Sequence, residues 1–273
     1  MPAEDVCPMK VTLLTLLVLF SFLLVSPSTR GEPNGQSSGV PSTGMPILLY
    51  HRFGPIPADP MTVTTAAFES QLGYLSVNGY VVITLRQLVD YHLGKRPAPP
   101  AKSVVLTVDD GHKSVYTDMF PLLKRYRVPA ALFIYPSAIS NATYAMTWSQ
   151  LREMKETGLI DLQSHTFWHP NFRKEKERLK SSEYEHLVEM QLRRSKEKFE
   201  RELGTIVDML AWPFGIYDDD LMDKAAEAGY VAAFTMERRY ASITENIRSL
   251  PRYLMTHSDK GAFERILVSG HRR

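Results

Sequence analysis

Two adjacent aspartates and a spaced pair of histidines are the residues in this sequence best suited to chemistry. Asp109 and Asp110 stand in Thr107-Val108-Asp109-Asp110-Gly111, directly after the apolar run Ser103 to Val108. Two carboxylates held side by side repel, and one pKa rises unless a cation neutralises the pair. A metal ion resolves this by binding one carboxylate and leaving the other as a base. For the pair taken alone, a solvated Asp-Asp-Gly turn is the alternative. His165 and His169 lie in Ser164-His165-Thr166-Phe167-Trp168-His169-Pro170. Two imidazoles four residues apart can converge on one ion if the loop turns like one helical turn. With eight histidines in the chain, a surface pair is the alternative. Taken together, two imidazoles and one carboxylate leave metal positions open for water and substrate, the pattern of a hydrolytic site. A third segment, Ala211-Trp212-Pro213-Phe214-Gly215, combines a Pro/Gly-fixed loop with flat aromatic faces on which a sugar ring could stack. A structural turn with core aromatics is its other reading.

Such groups act together only if the fold carries them to one place. From Met45 onward, strand-like and helix-like segments alternate. Short apolar runs at 47–50, 81–84, 103–108, 130–135, 160–163, 208–211 and 231–234 predict strands. Helical spacing predicts helices over 68–78, 85–93, 115–126, 148–156, 181–203 and 219–228, several closed by Gly. The alternation predicts an α/β fold, a distorted or incomplete (β/α) barrel with mainly parallel strands. All three chemical segments follow strands, and strand C-terminal ends are where such folds place their sites. His51 also follows a strand, and either lines the site or is a hydrogen-bonded scaffold residue. The charged stretches Arg173–Arg178 and Ser181–Leu203 read as solvated surface. Tyr50, Trp148, Trp168 and Tyr217 are aromatic candidates for sugar contact, although aromatics near strand ends more often pack.

The chain has 273 residues, 44% of them hydrophobic and 23% charged, enough for one sizeable core. Its net charge of +2 gives no argument for nucleic-acid binding. The one cysteine, Cys7, precedes the apolar run Val11–Val25, so the body has neither a disulfide framework nor a thiolate metal site. Lys10, the fifteen-residue run and small residues after it predict that residues 1–30 are a signal peptide or an N-terminal membrane anchor. Residues 31–44, rich in Gly, Ser and Pro, read as a flexible linker, and 45–273 as one catalytic domain. An exported protein, periplasmic or extracellular and either free or membrane-tethered, is the expectation; no protein partner is inferable.

In this order and spacing, the three segments resemble the NodB-type polysaccharide deacetylases, carbohydrate esterase family 4. Thr107–Gly111 looks like that family's T-F-D-D-G motif with Val108 for Phe, and His165–His169 matches H-[ST]-x-x-H. Ala211–Gly215 resembles R-x-P-x-G with Ala211 in place of Arg. Pro46 to His51 looks like the opening of the branch acting on poly-β-1,6-N-acetylglucosamine, and the likeness runs from about Met45 to Leu254. The resemblance implies that Asp110, His165 and His169 bind one divalent ion, zinc by default, with iron, cobalt or nickel as alternatives. It implies Asp109 as general base, a histidine as proton donor, and Trp212, Pro213, Phe214, Gly215 and His51 as substrate contacts. The missing motif-three Arg finds a substitute in Arg252, and His257 is the one nearby residue matching the late acid, with an exposed loop histidine as its other reading. The expected reaction is removal of N-acetyl groups from a polymer containing N-acetylglucosamine, poly-β-1,6-N-acetylglucosamine first. A non-catalytic sugar-binding barrel and an O-acetyl, xylan-type esterase are the alternatives.

Overall fold

The computed structural model describes residues 44–257 and 261–269. The expected leader and all but the last residue of the linker lie outside the described residues. Among the described residues no helix is long and apolar enough to cross a membrane.

The chain builds β1 (Ile47–Tyr50), β2 (Arg52–Gly54), β3 (Thr62–Thr64), α1 (Thr65–Val77), β4 (Val81–Val82), α2 (Leu85–His92) and β5 (Ser103–Asp110). A π-helical turn over Val115–Met119 leads into α3 (Phe120–Tyr126), then β6 (Ala130–Ile134), α4 (Trp148–Glu156) and β7 (Ile160–Ser164). The second half adds α5 (Phe172–Arg178), α6 (Ser181–Leu203), β8 (Met209–Ala211), α7 (Asp219–Glu227), β9 (Ala232–Phe234), β10 (Tyr253–Leu254) and α8 (Ala262–Ser269). Several starts are set by side chains. Thr84 and Thr147 each cap a helix, with Gln87 and Gln150 reaching back to complete a capping box.

The main sheet is parallel throughout, in the order β10-β1-β5-β6-β7-β8-β9, with β4 beside the start of β5. Its outer strands are joined by one stretch of chain. Leu250 donates to the Ala233 carbonyl at 2.9 Å and accepts from Thr235 at 2.8 Å, beside β9. Three residues later Tyr253 pairs with Leu48 of β1. The segment 250–254 therefore closes the barrel and carries Arg252 into it. The ring is uneven: between β7 and β8 the ladder has a single register pair, Ser164 with Leu210. There the Gln163 side-chain oxygen accepts from Asp208 at 3.2 Å and Met209 at 2.9 Å, standing in for backbone bonds. The expected distorted parallel αβ barrel is thus what the chain forms.

Alternation along β5 sorts the side chains, as the two-residue period of a strand requires. Val104, Leu106 and Val108 join the layer between sheet and helices, with Phe120, Leu123, Leu151 and Met154. Val105 faces the interior with Ala131, Phe133, Ala211 and Phe234. Thr107 and Asp109 share the face of Val105, so Asp109 ends an apolar interior and faces the mouth.

Of the two charged stretches expected at the surface, one is and the other is half core. Arg173–Arg178 lies in α5 and is surface as expected, with Glu175 alone half-buried, whereas α6 buries a full stripe from Tyr184 and Leu187 through Leu192 to Phe199 and Leu203. The charged residues of α6 occupy its outer face and hide an apolar period of three and four.

Candidate metal centre and active site

Backbone geometry at the end of β5 brings both carboxylates to the mouth. Consecutive strand residues point to opposite faces, but Asp110 takes a φ of 75° and Gly111 a φ of 80°, which breaks the alternation. Asp109 Oδ2 then lies 3.7 Å and Asp110 Oδ1 3.6 Å from the same atom, His165 Nε2. A Cβ at Gly111 would meet Ile139 and Ile134 at 3.2 and 3.3 Å, so this turn favours glycine on space as well as conformation.

His165 is fixed from behind. Its Nδ1–H donates to the Ala211 carbonyl at 2.8 Å, which leaves Nε2 without a proton and facing the carboxylates. His169 Nε2 stands 3.8 Å from Asp110 Oδ1, and the two imidazole centres are 4.5 Å apart. One donor atom from each of Asp110, His165 and His169 lies within 4.8 Å of the others. The loop between the histidines is not a helical turn. Thr166 and His169 both have a φ of 64°, a conformation that costs a non-glycine residue on the order of 1–3 kcal/mol.

The electrostatics match a cluster built around a cation. Burial pushes the His165 imidazole down to about 3, and it lowers His169 as well. Burial raises Asp110, and the neighbouring Asp109 charge adds to the rise. Neutral imidazoles and a carboxylate pushed toward its protonated form all gain from a divalent ion between them. The nitrogen and oxygen separations are too long for hydrogen bonds. They approach the spacing of neighbouring donors around an ion that takes ligands at about 2.0–2.2 Å. The donor set therefore fits a metal.

Asp109 has a different partner. Arg252, fully buried, grips its two oxygens at 2.8 and 2.7 Å. The guanidinium is itself held by the Thr235 carbonyl at 3.0 Å and Thr107 Oγ1 at 3.3 Å. Burial alone would raise Asp109, but Arg252 and His165 outweigh it and hold the carboxyl below its ordinary value. His51 is buried and feels both carboxylates; burial lowers its pKa, and its Nδ1 has no hydrogen-bond partner.

Other expected residues fall elsewhere. Trp212 is fully buried, donates its indole N–H to the Arg248 carbonyl at 2.9 Å and packs with Phe172 in the core under α6 and α7. It presents no face to a sugar, and Pro213 is buried beside it. Of that loop Phe214 is exposed, its ring 4.5 Å from His169. Gly215 is half-buried, and a Cβ there would come within 3.1 Å of the Met236 nitrogen. Tyr50 is buried and bound to Gln71, so it is packing. Trp148 packs edge-on against Phe199, whereas Trp168 is exposed. His257 is exposed and lines a separate hollow between α1 and α8, with Tyr74 and Phe263. Residue type and spacing gave no sign of four further participants: the Ala211 carbonyl, Gln191, Ser195 and Tyr230. The Arg252 fork, expected from the resemblance as the substitute for the missing motif-three Arg, depends on long-range closure of the barrel.

A parallel αβ barrel with an Asp-His-His cluster and a buried Asp-Arg pair at its strand ends is the frame of a hydrolase. Residues 96–233 match the family model described as polysaccharide deacetylase, and the chain belongs to that family. It is 26% identical over 254 residues to a poly-beta-1,6-N-acetyl-D-glucosamine N-deacetylase of Escherichia coli K12, covering 80% of this chain and 37% of that protein. The chain thus spans little more than a third of that relative's length. A protein of the same name from Staphylococcus aureus MRSA252 is 25% identical over 210 residues, covering 76% of this chain and 71% of the relative. Among solved structures, the Streptococcus pyogenes deacetylase PplD in complex with acetate superposes with a TM-score of 0.72 at 24% identity, covering 84% of this chain and 98% of the other. IcaB from Ammonifex degensii gives 0.71 at 24% identity with the same coverage. These structural likenesses establish the fold.

Proposed function

We propose that this protein hydrolyses the N-acetyl groups of poly-β-1,6-N-acetylglucosamine outside the cytoplasm, using one divalent ion held by Asp110, His165 and His169. The observation that carries the reading is the convergence of those three side chains beside an independently anchored Asp109. The polymer is suggested by the names of the relatives, and export by the same names together with the apolar N-terminal run. Zinc suits two nitrogens and one oxygen, and iron, cobalt and nickel suit them too.

A divalent ion in this position supplies Lewis acidity toward an amide carbonyl and toward water. The chain's own residues do the rest. Arg252 keeps Asp109 ionised and its two oxygens fixed, so the carboxylate is ready to take a proton from the attacking water. Asp109 is a weak base, which is why that water must be acidified. At motif three, the Trp212 N–H is committed to Phe234 and the Gly215 N–H to Trp212, while Pro213 has none. The Phe214 amide at the rim is left to receive the negative charge that develops on the carbonyl oxygen. His51, buried just past β1, within electrostatic reach of both carboxylates and with a free Nδ1, is the stronger candidate, over the exposed His257, to protonate the departing amine. Phe214, beside His169, gives the sugar an apolar wall.

The test is acetate release from defined N-acetylglucosamine oligomers of β-1,6 and β-1,4 linkage and from acetylated xylan, before and after chelation. Release from the β-1,6 oligomer that stops with chelator and returns with metal supports the proposal. Sugar binding without release, or release from xylan alone, contradicts it.

A further inference from the structure

The loop that carries both histidines has two backbone anchors, His165 N–H to the Ile134 carbonyl at 2.8 Å and Ser137 N–H to the Phe167 carbonyl at 3.0 Å, and its remaining amides are held by side chains. Thr166 N–H donates to Ser164 Oγ at 3.1 Å, and His169 N–H to Thr166 Oγ1 at 3.2 Å. Between them, the N–H groups of Phe167 and Trp168 both donate to one atom, Gln191 Oε1, at 3.1 and 2.9 Å. Four consecutive amides are thus satisfied by three side-chain oxygens, and Gln191 alone comes from a distant element. It sits on α6, twenty-two residues beyond His169 in the chain, and is fully buried. One helical turn on, Ser195 shares a 2.8 Å hydrogen bond with Ser164, the residue preceding His165. Tyr230 donates its hydroxyl to the same Ser164 at 2.9 Å and also reaches the Leu192 carbonyl at 3.0 Å.

Residues four apart on a helix share one face. Gln191 and Ser195 therefore grip the loop at two points, one before His165 and one between the histidines. Thr166 and His169 both sit in the left-handed region, which such residues keep only where the surroundings over-determine it. Without Gln191, two partly buried N–H groups lose their acceptor, and the turn relaxes toward conformations that separate the imidazoles.

We infer that Gln191, supported by Ser195, is a positioning residue for the metal centre: it sets the spacing of His165 and His169 by fixing the peptide groups between them. This rests on the proposal that those histidines bind an ion. The consequence is a specific loss of metal affinity, since removing a partner that orients ligands typically costs about 10–100-fold.

The experiment measures zinc affinity by competition with a chromophoric chelator for the parent protein and for Gln191→Met, Gln191→Glu and Val188→Ala. Thermal midpoints are read in chelator. Gln191→Met keeps the side-chain length and loses the acceptor, and its affinity should fall at least tenfold. Gln191→Glu keeps an acceptor oxygen and should restore affinity to within a few-fold of the parent. Val188→Ala loosens the same buried face of α6 without touching the loop, and should lower the midpoint while leaving affinity unchanged. If Gln191→Met does not fold, Ser195→Ala, which removes the second grip at Ser164, decides in its place: an affinity lowered several-fold supports the inference and one equal to the parent's overturns it. Equal affinity in the parent and Gln191→Met overturns it outright. A parent that binds no zinc overturns the metal reading itself, a different result from the others.

Discussion

Replacing Arg252 with Ala removes the guanidinium that grips the buried carboxylate of Asp109, and the size of the effect follows from the geometry. Both side chains are essentially inaccessible, and the pair is joined by two hydrogen bonds of 2.8 and 2.7 Å. The variant leaves Asp109 buried and uncompensated, and it deprives the Thr235 carbonyl and Thr107 of a donor. It also empties the space where the guanidinium lies 5.2 Å from the Phe133 ring. Breaking a buried ion pair by deleting one partner costs about 3–5 kcal/mol, a large share of the roughly 5–15 kcal/mol that holds a domain folded. At roughly 2–4 °C per kcal/mol for a domain of this size, the melting midpoint should fall by about 6–20 °C. Arg252→Lys retains the charge but not the planar fork, and should fall between the two. Adding Asp109→Leu to Arg252→Met removes both charges, and should recover much of the loss, because an apolar pair need not be solvated. The assay is thermal and urea denaturation in chelator, so that bound metal does not add to the stability. A cost below about 1 kcal/mol for Arg252→Ala, or a double variant less stable than Arg252→Ala, would refute the reasoning.

Asp109→Asn should leave zinc affinity near that of the parent while lowering turnover by about 10²–10⁴-fold, read as acetate release; normal turnover would remove Asp109 as the base. Phe214→Ala should raise KM for the oligomer with stability changed by no more than about 0.5 kcal/mol, because the ring is exposed. Trp212→Phe should do the reverse, lowering stability by about 1–3 kcal/mol through the orphaned Arg248 carbonyl and leaving KM unchanged, as denaturation and kinetics together would show. Burial acts to raise the Asp59 carboxyl, but hydrogen bonds from Thr62 and Arg52 hold it below its ordinary value. A folded-state pKa below the unfolded one gives stability that is present above the unfolded value of about 3.9 and lost as pH falls through the folded value. The stability gap between parent and Asp59→Asn should therefore narrow as pH drops from 5 toward 2 in urea titrations.

The strands were the most legible part of the fold, because parallel strands covered on both faces are short unbroken apolar runs. Ser103–Val108 and Ala130–Tyr135 differ from β5 and β6 only at their ends. Helices with terminal signals were equally plain: 148–156 and 181–203 match α4 and α6 residue for residue. Elements made by tertiary contact were not visible. β2 and β3 are three residues each and pair only with one another, and β10 is two residues laid against β1. At the site, Asp109, Asp110, His165 and His169 could be read from residue type and position after a strand. The histidines converge without a helical turn, because Gln191 and Ser164 bind the amides that a helix would have used. Trp212 was misread for a related reason: a strand-end tryptophan can face solvent or core, and α6 and α7, which cover it, are remote in sequence.

Diffraction from zinc-loaded crystals at the zinc absorption edge tests the central claim most directly. One anomalous peak per chain is expected, within about 2.0–2.2 Å of an Asp110 carboxylate oxygen and the Nε2 atoms of His165 and His169. A peak held by other residues, or no peak among these three in protein that releases acetate, would contradict it.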